Sequence, residues 1–133
     1  HSDFKKAAVV ALSFGGDIGA ARNELMSLAK ELAMQSVAMG PKWLRREDVP
    51  ADIIEKEKEI YKAGPAAAGK TGTALEKMLA GRVNKFYQES CLLEQVSIRD
   101  TKSSVAETVK KHSDSLKNDI QVKKFDCYIV GVE

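Results

Sequence analysis

Two segments of the chain have the hydrophobic pattern of β-strands. Residues 6–14 are rich in β-forming and small side chains and end at the breaker pair Gly15-Gly16, which predicts a strand buried on at least one face. Residues 120–129 alternate between apolar and polar positions, the period of a half-buried antiparallel strand. A third, shorter strand is predicted near residues 96–98.

The segment after the first strand has the three-and-four spacing of an amphipathic helix. Asp17 or Asn23 is the expected N-cap, and the apolar positions continue to about Met39. Gly40-Pro41 ends the helix, because glycine suits a left-handed C-cap and proline cannot continue the hydrogen-bonding pattern.

The middle of the chain predicts two helices that pack against each other. Residues 51–63 and 74–93 each carry a narrow apolar seam, and a small-residue loop joins them. The simplest arrangement is an antiparallel helical hairpin over residues 51–93, which protrudes because its outer faces are highly charged.

A fourth helix begins after a cap at Ser103 or Ser104 and precedes the last strand. The fold class is therefore α+β, with a small antiparallel sheet packed by helices and the hairpin as an insertion. The length of 133 residues fits one such lobe over residues 1–133.

Composition excludes several classes of protein. The chain has 21 Lys and Arg against 19 Asp and Glu, a net charge of +2, which is unlike a polybasic nucleic-acid arm. The 44% of hydrophobic residues is enough for a core, and no apolar run is long enough to span a membrane. The cysteines, Cys91 and Cys127, are interpreted as buried reduced thiols, and the spacing of His1 and His112 argues against zinc.

One segment matches a phosphate-binding expression. Residues 64–71 satisfy GxxxxGK[ST], but the segment before them is a charged amphipathic helix, whereas the phosphate loop needs a buried strand there. Pro65 also removes a backbone donor. A helix-to-helix loop is the preferred interpretation, and a nucleotide-binding protein is the alternative.

Other candidate chemistry has a simpler structural explanation. His112 lies on an apolar stripe, as a packing histidine does. Glu55 and Glu59 share a helical face with lysines around them, which is typical of a solvated surface and not of an acid–base pair. The cations Arg82 and Lys85 have interleaved acidic neighbours, which weakens any field that would attract nucleic acid.

Three stretches, taken together, resemble bacterial-type translation elongation factor Ts. They are residues 32–42 (LAMQSVAMGPK), residues 46–57 (REDVPADIIEKE) and residues 76–95 (EKMLAGRVNKFYQESCLLEQ). In this order and at these separations the motifs are specific for that family, and the resemblance covers roughly residues 5–131.

The resemblance implies a guanine-nucleotide exchange factor. Such a protein binds the GTPase elongation factor Tu and promotes GDP release, so the chain is expected not to be an enzyme and to need no cofactor, nucleic acid or membrane. His1 aligns with a family histidine implicated in partner contact. The hairpin cations Arg82 and Lys85 are the other candidate partner-binding residues.

Departures from the family pattern add further expectations. The family's Thr-Asp-Phe-Val motif and N-terminal domain are absent, so the chain is expected to be a fragment with weakened or no exchange activity. Cys127 stands where the family has arginine, which suggests a divergent lineage. The expected location is the cytoplasm of a bacterium, otherwise the mitochondrial matrix or plastid stroma. A homodimer, or a purely structural coiled-coil dimerisation module, is the alternative function.

Overall fold

The two predicted strands pair with each other. The structure is a computed structural model that describes residues 5–131. In it, β1 (Lys6–Phe14) and β2 (Ile120–Ile129) form a two-stranded antiparallel sheet. Four helices lie between the strands along the chain: α1 (Arg22–Met39), α2 (Ala51–Ala63), α3 (Gly72–Ser90) and α4 (Val105–Leu116). The α+β class is therefore confirmed.

The sheet contains a β-bulge that the simple alternation of β2 did not predict. Ala11 pairs with Lys124, but the next residue, Leu12, pairs with Val122, so Lys123 is one extra residue in β2. The extra residue leaves both lysines exposed while Val122 and Phe125 both contact the core. A strict period of two would have placed Val122 and Phe125 on opposite faces of the sheet.

Helix α1 begins later than its candidate caps suggested. Its N-cap is Ala21, which offers no side-chain cap, so the prediction of Asp17 or Asn23 was wrong. The Asp17 carboxylate instead accepts a hydrogen bond from the Gly19 amide at 3.0 Å, which closes a local turn before the helix. The predicted end is confirmed: Gly40 has φ 58° and ψ 48°, the left-handed C-cap.

The core lies where α1, α4 and the inner face of the sheet meet. Leu28 and Leu32 of α1 are almost completely buried, as is Leu92 in the 3₁₀ turn after α3. Beside them pack the buried apolar residues of the other elements, Leu44, Val105, Val109, Ile120 and Val122. Burial of these side chains is the main favourable contribution to folding. We refer to β1, α1, α4 and β2 as the body.

Helices α2 and α3 form the second part of the fold, here called the helical pair. The predicted bounds of α2 are confirmed, whereas α3 starts and ends earlier than the predicted 74–93. Helix α2 makes its main contacts with α3, and α3 contacts chiefly α2 and, after it, the 92–94 turn. The antiparallel, protruding arrangement stays a prediction.

The predicted short strand at residues 96–98 is not formed, whereas the predicted cap of α4 is. Residues 96–98 are not a strand, because only Val96 forms a bridge, to Ser104. The capping prediction for α4 is confirmed at Ser104. Its hydroxyl accepts from the Glu107 amide at 3.2 Å, and the Glu107 carboxylate accepts from the Ser104 amide at 2.7 Å, which is a capping box.

Candidate partner-binding surface

The two cations predicted to bind a partner lie exposed on α3. Arg82 and Lys85 are three residues apart, so they are neighbours on the helix surface. The Lys85 ammonium lies 3.9 Å from the Glu89 carboxylate, and both side chains are about two-thirds exposed. His1 lies outside the described residues, so the structure brings together only the two cations of α3.

Arg82 also lies close enough to α2 to act on Tyr61. Burial raises the pKa of Tyr61, and a hydrogen bond to Glu57 raises it further. The charge of Arg82 acts in the opposite direction, and that of Glu89 adds to the increase. Charged side chains of α3 therefore influence the pKa of a side chain on α2.

The outer face of α2 is a ladder of ion pairs. Lys58 contacts Glu55 at 3.1 Å and Lys62 contacts Glu59 at 2.9 Å. These pairs are exposed and of the i,i+3 type, so each contributes little to stability. The ladder pairs both carboxylates that were considered as an acid–base pair with neighbouring lysines.

An apolar cluster holds the base of the helical pair. Trp43 lies 6.1 Å from the ring of Phe86, and Phe86 lies edge-on to Tyr87 at 6.3 Å. Three buried residues complete the cluster: Val49, Ile54 and Cys91. The cluster joins the connector before α2 to both helices.

Backbone hydrogen bonds join the two segments that flank the helical pair. The Leu92 amide donates to the Trp43 carbonyl at 2.8 Å, and the Leu93 amide donates to the Leu44 carbonyl at 3.2 Å. Residues 42–46 and 90–94 therefore run side by side, and we call these two segments the neck. The chain enters and leaves the helical pair through the neck.

Arg46 is the last residue of the first neck segment, and its side chain contacts the second segment and α3. Its Nε donates to Glu94 Oε2 at 3.0 Å, and its Nη2 contacts the other oxygen of the same carboxylate. The same nitrogen donates to Asn84 Oδ1 at 3.3 Å, and the guanidinium carbon lies 4.7 Å from the centre of the Tyr87 ring. Sequence reasoning had interpreted residues 45–48 as a solvated turn.

A buried pair of glutamines ties α1 to the end of α3. Gln35 Nε2 donates to Gln95 Oε1 at 3.2 Å and to the Val96 carbonyl at 3.0 Å, while Gln35 Oε1 accepts from the Ile98 amide at 2.9 Å. Gln95 Nε2 in turn donates to the Glu89 carbonyl at 2.8 Å. Both side chains are about 1% exposed, so these bonds satisfy groups that water cannot reach.

The GxxxxGK[ST] segment connects two helices. Residues 64–71 follow α2 and precede α3, with a 3₁₀ turn at Pro65–Ala67. Lys70 is exposed, and among residues 5–131 no strand runs into this segment. The interpretation as a helix-to-helix loop is confirmed.

His112 joins α4 to α1. Its Nδ1 lies 2.9 Å from Glu24 Oε1, and both side chains are about 30% exposed. The predicted partial burial is confirmed. The carboxylate partner was not predicted, since it lies on a helix 88 residues away along the chain.

The two cysteines differ in burial, which corrects the expectation that both are buried. Cys91 is completely buried in the neck, whereas Cys127 is half-buried, with its Sγ 3.8 Å from the Ser36 carbonyl. Burial, and then the charge of Glu94, raises the pKa of the Cys91 thiol to about 11. The thiolate is the reactive form, so Cys91 is the less reactive thiol.

We expect thiol labelling at pH 8 to separate the two cysteines. Cys127 should react with an aromatic disulfide reagent in the native protein, and Cys91 should react only after unfolding. In the Cys127→Ser control the fast phase should disappear and the slow one should persist. Equal native-state rates for both thiols would contradict the burial of Cys91.

Two adjoining surface grooves run between β1 and α1, which pack against each other. Their volumes are about 760 and 460 Å³, and Met26 and Ala29 line both. The polar side chains that line them, such as Arg22 and Lys30, are themselves exposed. A small-molecule site brings polar groups together inside an apolar cavity, and these grooves do not.

Among residues 5–131 no group of three or more His, Cys, Asp or Glu side chains is placed to hold a metal ion. No helix in this range is both long enough and apolar enough to cross a membrane.

Comparison with protein families gives a match along nearly the whole chain. A family model described as Elongation factor TS matches residues 1–132. The chain is 38% identical to elongation factor Ts of Syntrophomonas wolfei and 37% identical to that of Thermosipho melanesiensis, in each case over 98% of the chain. It is 40% identical to elongation factor Ts of Symbiobacterium thermophilum over the same share.

The match covers only part of each relative. The aligned region is 61% of the Syntrophomonas protein, 67% of the Thermosipho protein and 43% of the Symbiobacterium protein. The chain thus spans roughly half to two-thirds of the length of these relatives.

Proposed function

Because the chain belongs to the elongation factor Ts family, we propose that it acts in translation elongation as part of a guanine-nucleotide exchange factor. The partner is elongation factor Tu in its GDP-bound state, and the effect is faster release of GDP. The family match along residues 1–132 is the observation that carries this proposal.

Exchange of this kind needs no chemistry from the chain itself. The factor binds the nucleotide-free state of its partner more tightly than the GDP-bound state, so binding weakens the hold on GDP by the same free energy. A surface that contacts another protein is sufficient for this.

We also propose a division of labour within the chain. Residues 1–133 form one lobe, and residues 51–93 are an inserted helical hairpin that presents Arg82 and Lys85 to the partner. The neck supports this proposal, because its hydrogen bonds bring the two ends of the insertion side by side. His1 completes the proposed contact residues and lies outside the described range.

A bacterial cytoplasmic location follows from the same proposal. The relatives named above are proteins of bacteria, and elongation factor Tu is proposed as the partner. Homodimer formation stays an expectation without an observation that favours it.

The proposal is tested by measuring GDP release. The complete gene product should accelerate the loss of a fluorescent GDP analogue from elongation factor Tu. The Arg82→Glu and Lys85→Glu double variant should need a higher concentration to reach the same rate. The control is Lys110→Glu with Lys123→Glu, an equal charge change at exposed positions of α4 and β2.

Two results would count against the proposal in different ways. A complete gene product that neither binds elongation factor Tu nor accelerates release would overturn the function. Equal effects of the two double variants would overturn the assignment of Arg82 and Lys85 and leave the function itself intact.

A further inference from the structure

Arg46 contacts side chains that lie 38 to 48 residues away from it along the chain. Arg46 precedes α2, yet its guanidinium contacts Asn84 and Tyr87 of α3 and the carboxylate of Glu94 beyond α3. Asn84 and Glu94 accept hydrogen bonds from the guanidinium, and the Tyr87 ring makes a cation–π contact with it. The guanidinium is therefore held by three partners. One side chain thus relates the entry of the helical pair to its exit.

A small change of angle at Arg46 would produce a larger displacement at the far end of α3. Helix α2 contacts chiefly α3, and α3 contacts chiefly α2 and then the 92–94 turn. Leu44 and Leu92 of the neck pack in the core, so the neck is the main attachment of the helical pair to the body. Helix α3 has 19 residues and is therefore roughly 28 Å long. A tilt of about 10° at the neck would move its far end by roughly 5 Å.

The chemistry of this contact is suited to fixing an angle more than to adding stability. The Arg46 side chain is 44% exposed and that of Glu94 is 23% exposed, and exposed ion pairs contribute little free energy. The geometry is nevertheless specific, since a planar guanidinium facing both oxygens of one carboxylate permits few orientations. The hydrogen bond to Glu94 raises the pKa of Arg46 above its usual value.

We propose that Arg46 is a positioning residue that fixes the angle of the helical pair on the body. The part of this inference that concerns partner binding rests on the proposed function: the angle sets where the exposed charges of α3 meet the partner. Arg46 itself then acts through α3. The positioning part concerns the chain alone and is testable without any partner.

Distance measurement between two spin labels tests the positioning directly. One label is placed at the start of α3 by Thr73→Cys and the other on α4 by Lys110→Cys, both at exposed positions, in a Cys127→Ser background. The distance distribution should be narrow with Arg46 present and broader in Arg46→Ala. Arg46→Lys should also give a broad distribution, because lysine keeps the charge but loses the planar fork and the ring contact.

A matched control removes a comparable arginine elsewhere. The exposed Arg99 lies 3.7 Å from the largely buried Glu31 carboxylate in an ion pair outside the neck, so Arg99→Ala should leave the distribution narrow. Glu94→Gln provides a second variant at the neck, should Arg46→Ala fold poorly, and it should also broaden the distribution. An unchanged width in Arg46→Ala or Glu94→Gln, or full restoration by Arg46→Lys, would overturn the proposal.

The consequence for the partner is measured separately. Arg46→Ala and Arg46→Lys should both lower the affinity for GDP-bound elongation factor Tu by roughly tenfold, within the usual range of coupling between sites. A broadened distribution with unchanged affinity would overturn the link to the partner. If the unmodified gene product does not bind elongation factor Tu at all, the proposed function fails while the label distances still decide the positioning.

Discussion

Replacement of Leu28 by alanine should lower the free energy of unfolding by about 2–5 kcal/mol. Leu28 lies on the inner face of α1 and is completely buried in the core. Its truncation removes apolar contacts and leaves a cavity that the neighbouring side chains fill only in part. Urea denaturation followed by far-ultraviolet circular dichroism measures the change as a lower midpoint at an unchanged slope.

The same helix offers a control for this substitution. Met26 is two residues away and 64% exposed, so Met26→Ala removes a side chain of similar size from the surface. We expect its effect to stay within about 0.5 kcal/mol, as for most surface substitutions. If Leu28→Ala were as mild as Met26→Ala, the inner face of α1 would be wrongly assigned.

Replacement of Gln35 by leucine should cost about 1–3 kcal/mol, although the new side chain is more apolar. The change leaves Gln95 Oε1, the Val96 carbonyl and the Ile98 amide without the partner they have in the native protein. The penalty comes from these stranded polar groups, because at least Gln95 is sealed from water. Thermal and urea unfolding both report the loss.

Two further variants separate this explanation from a general effect of leucine. Gln88 is exposed on α3, so Gln88→Leu should change stability only slightly. The double variant Gln35→Leu with Gln95→Leu removes the stranded Gln95 oxygen as well, and its cost should be smaller than the sum of the two single costs. Strict additivity would show that the two glutamines do not act as a pair.

Much of the secondary structure followed from local signals. Helix α2 was bounded correctly because Pro50 precedes it and Gly64 follows it, and both residues act through the backbone alone. The start of α1 was missed because Asp17 has the composition of a cap but uses its carboxylate in a turn. Residues 96–98 have β-forming side chains, yet only one of them finds a bridging partner.

The neck was beyond local reasoning because its partners are distant along the chain. Arg46 meets Asn84 and Glu94 across 38 and 48 residues, and nothing in its immediate neighbours distinguishes it from a solvated arginine. Gln35 had one available signal. It lies three residues after Leu32 on the buried stripe of α1, and a polar residue at such a position predicts a buried partner.

The extra residue at Lys123 makes the second half of β2 sensitive to changes in chain length. Deletion of Lys123 alone would restore uninterrupted alternation and keep Phe125 and Cys127 on the inner face, whereas deletion of Lys124 as well would turn them outward and bring Asp126 inward. Substitution or loss of this lysine alone should therefore be tolerated, whereas loss of both lysines should not. We therefore expect chains that share this sheet to have either one or two polar residues between the apolar positions equivalent to Val122 and Phe125, and never none.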